Sequence, residues 1–203
     1  MKFSCEKALL QSMIAIASRA VAPKSTIPAL EGVLLEAEQE LNLTGYNLKT
    51  GIRGTISADI SEPGSIVLSA RLFGDIIRRL PDDVVTLSTN DLMVNITCGM
   101  SEFNILGIDP SQFPELPAVE YQNSMILPQR ILHSMITETI FAVSTNDSRP
   151  IHTGELFERD GVGMLTVVAV DGYRLALRRE TTQLNVSETA CQFVIPAPAL
   201  NEV

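Results

Sequence analysis

The chain has 203 residues, 45% apolar and 19% charged, which is the balance of a packed globular protein and excludes an intrinsically disordered one. A formal charge of −9 excludes a protein that is basic throughout, although a local basic patch remains compatible with it. No apolar run approaches the ~18 residues of a spanning helix, and the N-terminal MKFSCEKALLQSM lacks the pattern of a secretory leader. Cys5, Cys98 and Cys191 are odd in number and far apart, without a CxxC, so neither a disulfide framework nor a zinc site is expected. These features point to a cytoplasmic location with no metal, no cofactor and no membrane partner.

Residues 1–5 read as a short strand and 6–21 as a helix, with Leu9, Met13, Ile16, Ala17 and Ala20 at helical spacing. Pro23 and Pro28 bracket a connection that cannot continue that helix. Three strands follow in GVLLEAE, LNLTGY and IRGTISADI. In the last of these Ile52, Gly54, Ile56, Ala58 and Ile60 alternate with Arg53, Thr55, Ser57 and Asp59. The same order then returns: strand GSIVLS, helix ARLFGDIIRR stopped at Leu80-Pro81, a hairpin of DVVTLS and LMVNIT around Thr89-Asn90-Asp91, and a closing strand SEFNILG. The proline-bearing FPELPAVEYQ reads as the linker to a second domain, giving domains at 1–118 and 119–203. The second opens with a strand around Ser124–Leu127 and a helix from Pro128 to Val143, where proline suits the first turn. Strands TGELFER, MLTVVAV and YRLALRRE come next, and FVIPAPALNEV matches SIVLSARLFGDI of the first domain.

An internal repeat supports this division. Residues 10–36 and 132–158 align without a gap at a spacing of 122, with ten identities in 27 positions that include Ser12/Ser134, Met13/Met135, Pro28/Pro150 and Gly32/Gly154. So long a period marks duplicated domains rather than a solenoid. By the repeat, the second domain stops early, and a truncated chain is expected. The fold class is α+β: duplicated strand–helix–three-strand units, antiparallel sheets on one face and helices on the other.

The helices are the basic part of an acidic molecule. They hold Lys7, Arg19, Arg71, Arg78, Arg79 and Arg130 against Glu6, Asp75 and Glu138, and Lys24 extends the set. These are either ordinary solvated helix faces or, with the helices lining an inner surface, a phosphate-holding face that does not read bases.

MKFSCEKALL, STIPALEGVLLEA, LTGYNLKTGI, SARLFGDIIRRLP, FNILGIDPSQFPELP, SRPIHTGELFE and VAVDGYRLALRR, in that order, resemble the bacterial sliding clamps. These are the beta subunit, or processivity factor, of the replicative DNA polymerase III holoenzyme. The resemblance implies a DNA-clamp fold of three similar domains, the third absent here, and a head-to-tail homodimer ring around double-stranded DNA. It also implies partners that carry a clamp-binding peptide: the polymerase catalytic subunit, the clamp loader and other proteins. The ring performs no chemistry. DNA contacts carry over to Lys24, Arg71, Asn146, Arg149, Pro150 and Ile151; the last two cannot donate hydrogen bonds from their side chains. The peptide groove carries over to His152, Val170, Gly172, Tyr173, Arg174 and Leu175. His152 stands where the family usually has Leu, and Leu30 occupies the matching repeat position. Val170 stands where many members have Thr. The dimer interface carries over to Ile76, Phe103 and Ile105.

Two rival readings remain. An enzyme would need a convergent polar cluster; His152, Asp171, Ser144, Thr145 and Ser148 are the candidates, without a GxSxG, P-loop or HExxH motif. The other is a duplicated α+β protein-interaction scaffold that never meets DNA.

Overall fold

A computed structural model of the chain describes residues 1–118, 126–146, 148–161, 163–181 and 190–203. It divides into two compact units, Met1–Pro117 and Ala118–Val203.

In the first unit β1 (Lys2–Glu6) buries Phe3 and Cys5 and turns Lys2 and Glu6 outward, as a pleated strand with one covered face does. Helix α1 (Lys7–Ser18) follows without a break. Its buried stripe is Leu10, Met13, Ile14 and Ala17, whereas Leu9 and Ile16 are each 43% exposed. The helix is thus rotated from the face expected of its spacing, because two glycines on the sheet beneath receive it. A Cβ on Gly45 would lie 2.0 Å from the Ala17 carbonyl oxygen, and one on Gly54 would lie 2.3 Å from the Met13 thioether. The backbone of β3 (Leu41–Tyr46) and β4 (Gly51–Ile56) therefore selects which of the helix's apolar sides faces inward.

The stretch expected as one strand over 52–60 is two. β4 pairs with β3, whereas β5 (Asp59–Glu62) crosses to pair with β1 in another sheet. Half-burial of Ile52, Gly54, Ile56, Ala58 and Ile60 continues through the crossing, with Ile56, Ala58 and Ile60 packed on one core. Alternation records a covered face and is silent about which sheet supplies it.

Strands β2 (Gly32–Ala37) and β6 (Gly64–Ser69) complete a sheet ordered β4-β3-β2-β6. Strands β7 (Val84–Asn90), β8 (Met93–Cys98) and β9 (Ser101–Leu106) join a second, ordered β5-β1-β7-β8-β9. Every pairing is antiparallel. Each half of the unit gives its first strand to the other half's sheet: β1 lies beside β7, and β6 beside β2. Helix α2 (Ala70–Arg79) starts under a Ser69 hydroxyl that accepts from the Leu72 N–H. It buries Ala70, Phe73, Ile76 and Ile77 and ends with Arg78 and Arg79 near its negative pole, just before Pro81. Phe3, Leu35, Leu68, Phe73, Leu87 and Ile96 meet in one core drawn from both sheets and both halves.

In the second unit α3 (Gln129–Thr139) is shorter than the helix expected to Val143, since the chain tightens to a 3-10 turn at Ile140–Ala142. Pro128 occupies the N-cap rather than the first turn. Of the strand expected around Ser124–Leu127, Ser124 and Met125 lie outside the described residues, as does much of the expected linker; Ile126 and Leu127 are not in a strand. A 3-10 turn at Pro150–Thr153 leads into β10 (Gly154–Arg159), then β11 (Met164–Val170), β12 (Leu175–Thr181) and β13 (Cys191–Pro196). Their order, β12-β11-β10-β13, reproduces β4-β3-β2-β6, and the short α4 (Ala197–Leu200) continues from β13 as α2 does from β6. β2 and β10 begin and end 122 residues apart, so the repeat in sequence is a repeat in structure.

Gly45→Ala forces its methyl into the Ala17 carbonyl, which is main chain and cannot swing aside. The substitution is expected to cost about 1–3 kcal/mol, read as a lower urea midpoint at unchanged slope.

Candidate nucleic-acid and peptide interface

In the first unit α1 and α2 flank a shallow cleft of about 260 Å³ lined by Gln11, Ala15, Ser18, Arg71, Gly74 and Arg78 among others. Arg71 is exposed on the first turn of α2 and makes no ion pair among the described residues. Arg78 on the same helix is bound to Asp75. Lys24 is exposed in the loop after α1, also without an ion pair there; the neighbouring Glu31 carboxylate is occupied by the Ser25 N–H at 2.9 Å. Lys7 departs from the expected basic face. Its ammonium is held 2.7 Å from Asp82 and its side chain is only 12% exposed, so it closes the start of α1 rather than offering charge.

Of the residues assigned to a dimer contact, Ile76 and Ile105 lie inside the core at 8% and 9% exposure. Phe103, 40% exposed, presents apolar surface on β9, the outer strand of its sheet. Leu106, 69% exposed at the end of β9, adds to that surface and was not singled out from sequence.

The second unit contains a cavity of about 450 Å³ lined by Val143–Asn146, Ser148, Arg149, His152, Asp171, Tyr173 and Arg174. Its walls are the loop after the 140–142 turn, the 150–153 turn and the β11–β12 connection. The Ser144 N–H donates to the His152 carbonyl at 2.9 Å, tying the first two walls together. The loop is shaped by its own polar side chains: the Ser144 hydroxyl accepts from the Asn146 N–H, and the Asn146 side-chain Oδ1 accepts from the Ser148 N–H. Asp147, within this stretch, lies outside the described residues.

Asp171 builds the third wall. One carboxylate oxygen accepts from the N–H groups of Tyr173 and Arg174, both at 3.0 Å, and the other from Arg174 Nε at 2.8 Å. Led by the Tyr173 N–H, these donors hold the Asp171 carboxyl below the usual carboxylate range. Gly172 supplies the positive φ of +92° that the turn needs. The outcome is a fully exposed Tyr173, a 63% exposed Leu175 and an Arg174 guanidinium 5.8 Å above the Phe141 ring. Phe141, 59% exposed, rides on a turn whose Ala142 packs on Ala169 and Ala176.

The structure thus brings residues assigned to two separate roles into one cavity: Asn146 and Arg149 from the DNA set, His152, Tyr173 and Arg174 from the groove set. Pro150 and Ile151 stand exposed on the adjoining turn, and Val170, Gly172 and Leu175 support or flank the third wall without lining the cavity. Asp171 and the Ser144 hydroxyl, candidates for catalysis, are instead occupied in shaping backbone. Phe141 was missed because its signal is a break in helix geometry rather than a motif.

One more polar group was missed. Glu155, at the start of β10, is fully buried, with one oxygen 2.8 Å from the Thr139 hydroxyl and the other without a hydrogen-bond partner among the described residues. Burial pushes its carboxyl up from the usual range. The internal repeat carried the signal, since the matching residue of the first unit is the core Val33.

Antiparallel half-sheets exchanging their first strands beneath two helices, with a related arrangement in the following unit, define an α+β clamp fold. Residues 1–117 match the N-terminal domain, and residues 126–203 the central domain, of the DNA polymerase III beta subunit. The chain belongs to the DNA polymerase III beta subunit family. It is 36% identical over 214 residues to the beta sliding clamp of Halalkalibacterium halodurans, an alignment covering 100% of this chain and 56% of that relative. Its fold matches the beta subunit from DNA polymerase of Streptococcus pyogenes at a TM-score of 0.94 and 33% identity, covering 100% of this chain and 55% of that one. It matches the DNA polymerase sliding clamp from Bacillus subtilis at 0.93 and 33%, with the same coverage. The chain spans about half the length of these relatives.

Asp171→Ala is expected to lower the melting temperature at neutral pH. A carboxyl held low in the folded state contributes stability above its unfolded value and loses it as pH falls through the folded one. In paired melts the gap between wild type and variant therefore closes below about pH 4.

Proposed function

We propose that this chain supplies two modules, residues 1–118 and 119–203, of a cytoplasmic sliding clamp that encircles duplex DNA and tethers the replicative polymerase. The clamp loader and other proteins with a clamp-binding peptide share the tether, and the role is mechanical rather than catalytic. The carrying observation is that the whole chain, in sequence and in fold, aligns with beta sliding clamps.

The charge distribution supports contact with phosphates rather than bases. Arg71 and Lys24 are exposed cations with no ion pair among the described residues, local positive charge on a protein whose net charge is −9. Arg149 and Asn146 add donors in the second unit. The second-unit cavity supports peptide capture: exposed Tyr173, Leu175 and Phe141 offer apolar area beside a polar floor. Phe103 on the outer strand β9 supports a homodimer contact of strand on strand.

Replacing Lys24 and Arg71 together with Ala, in a protein of the relatives' full length, is expected to weaken duplex binding equally across sequences. The slope of log affinity against log salt should shrink by about 1 per residue removed. Salt-independent association with DNA in the unaltered protein would favour the scaffold reading instead. His152→Leu restores the residue that the first unit carries as Leu30 and dries the cavity rim. It is expected to tighten binding of a synthetic clamp-binding peptide about fivefold by calorimetric titration.

A further inference from the structure

The two units have the same framework but not the same core. Ala17, Val33 and Ala37 are fully buried in the first unit. At the 122-residue spacing their counterparts are Thr139, Glu155 and Arg159, which are buried in the second. An apolar contact between helix and strand has thus become a polar one, and the protons in that contact can be counted.

The Thr139 hydroxyl oxygen lies 2.8 Å from the Met135 carbonyl oxygen and 2.8 Å from Glu155 Oε1. A hydroxyl has one proton to give, and a threonine in a helix returns it to the carbonyl four residues back. Sharing that one proton between two acceptors would weaken both contacts, and both are full two-centre hydrogen bonds at once only if a second proton sits on Glu155. Its other oxygen is buried without a partner among the described residues, which is far costlier for an ionised carboxylate than for a neutral acid. We propose that Glu155 is a neutral carboxylic acid that donates its proton to Thr139 and thereby positions the wall of the second-unit cavity.

The location of this bond gives it that role. Thr139 is the last residue of α3, directly before the turn bearing Phe141 and Ala142 and the loop that lines the cavity. Glu155 is the second residue of β10, directly after the turn bearing His152. The bond joins the roots of two walls, and the Ser144–His152 backbone bond joins them further out. Ionising Glu155 removes the donor and leaves Thr139 to choose between Met135 and the carboxylate.

Other ionisable groups around this contact are few. Arg159 shares the face of β10 four residues on, about 13 Å along the strand. On α3, Glu138 is exposed and engaged by Arg178 and Ser134, and His133 is exposed beside Thr137. His152 lines the cavity, and Cys191 on β13 is exposed opposite Arg159. β11 and α4 carry no charged side chain.

The consequence for peptide capture rests on the proposed clamp reading; the protonation state does not. The test is a carbon-13 titration of side-chain carboxyls in the labelled chain, with Glu155→Gln identifying the resonance. The Glu155 carboxyl should ionise only above the ordinary carboxylate range, with Phe141 and Ala142 resonances moving in step. Because the folded chain keeps a proton that the unfolded chain releases above about pH 4.3, stability should decline as pH rises from there, and Glu155→Gln should flatten the decline. The glutamine amide still donates to Thr139, so Phe141 should hold its low-pH position throughout in that variant. Thr139→Val removes the hydroxyl and should displace Phe141 even at low pH, with amide exchange at Ala142 and Val143 faster by about tenfold. Ionisation of Glu155 in the ordinary carboxylate range overturns the proposal, and the wild-type chain alone decides this if the valine variant fails to fold. A shift of Phe141 in Glu155→Gln as large as in Thr139→Val overturns the positioning role. None of these signals needs a peptide, so a chain that never binds one leaves them intact, whereas an ordinary Glu155 in a peptide-binding chain sinks this inference alone.

Discussion

Antiparallel pairing of β1 with β7 and of β6 with β2 holds the first unit together, because each half is completed by a strand from the other. A half that gave up its first strand would leave an open sheet face and strip residues from a core that both halves fill. The exchange also fixes the helices. α1 leaves β1 in one sheet and packs on β3 and β4 of the other, while α2 leaves β6 and packs back toward β2, so the two helices lie side by side. Their cleft, with Arg71 at its edge, is a product of sheet connectivity before it is a matter of charge.

The second unit uses the same scaffold for different work. β10 to β13 repeat the sheet of β2, β3, β4 and β6, yet the segment after α3 tightens instead of ending simply. That tightening lifts Phe141 outward while Ala142 anchors the turn on β11 and β12. Asp171 then organises the opposing turn with bonds from two backbone amides and one guanidinium. Rigid strands carry short, internally bonded loops, and the loops meet around one cavity.

Much of this was legible in the residues. The strand–helix–three-strand order of β6 to β9, the limits of α2 and the repeat itself follow from alternation, proline placement and direct comparison of the chain with itself. What was not legible depends on contacts distant in sequence. The rotation of α1 is decided by Gly45 and Gly54 on strands folded beneath it, and a helix with large apolar residues on more than one side, Leu9 and Ile16 as well as Leu10 and Ile14, cannot announce its inner face. The break between β4 and β5 preserves the alternation that would otherwise reveal it. In the site, Arg71, Lys24 and Tyr173 are as exposed as their chemistry suggests. Lys7 is not, because Asp82 reaches it from 75 residues away. The pairing of Glu155 with Thr139 is visible only once Val33 and Ala17 are known to touch the same core.

The outer position of β9 has a cost beyond any one contact. A row of main-chain amides and carbonyls stands there without a neighbouring strand among the described residues, flanked by Phe103 and Leu106 and relieved by Glu102 and Asn104. Such a border is a template that accepts any extended polypeptide of suitable length. A protein built this way must keep its border occupied, or else trade solubility for readiness to assemble.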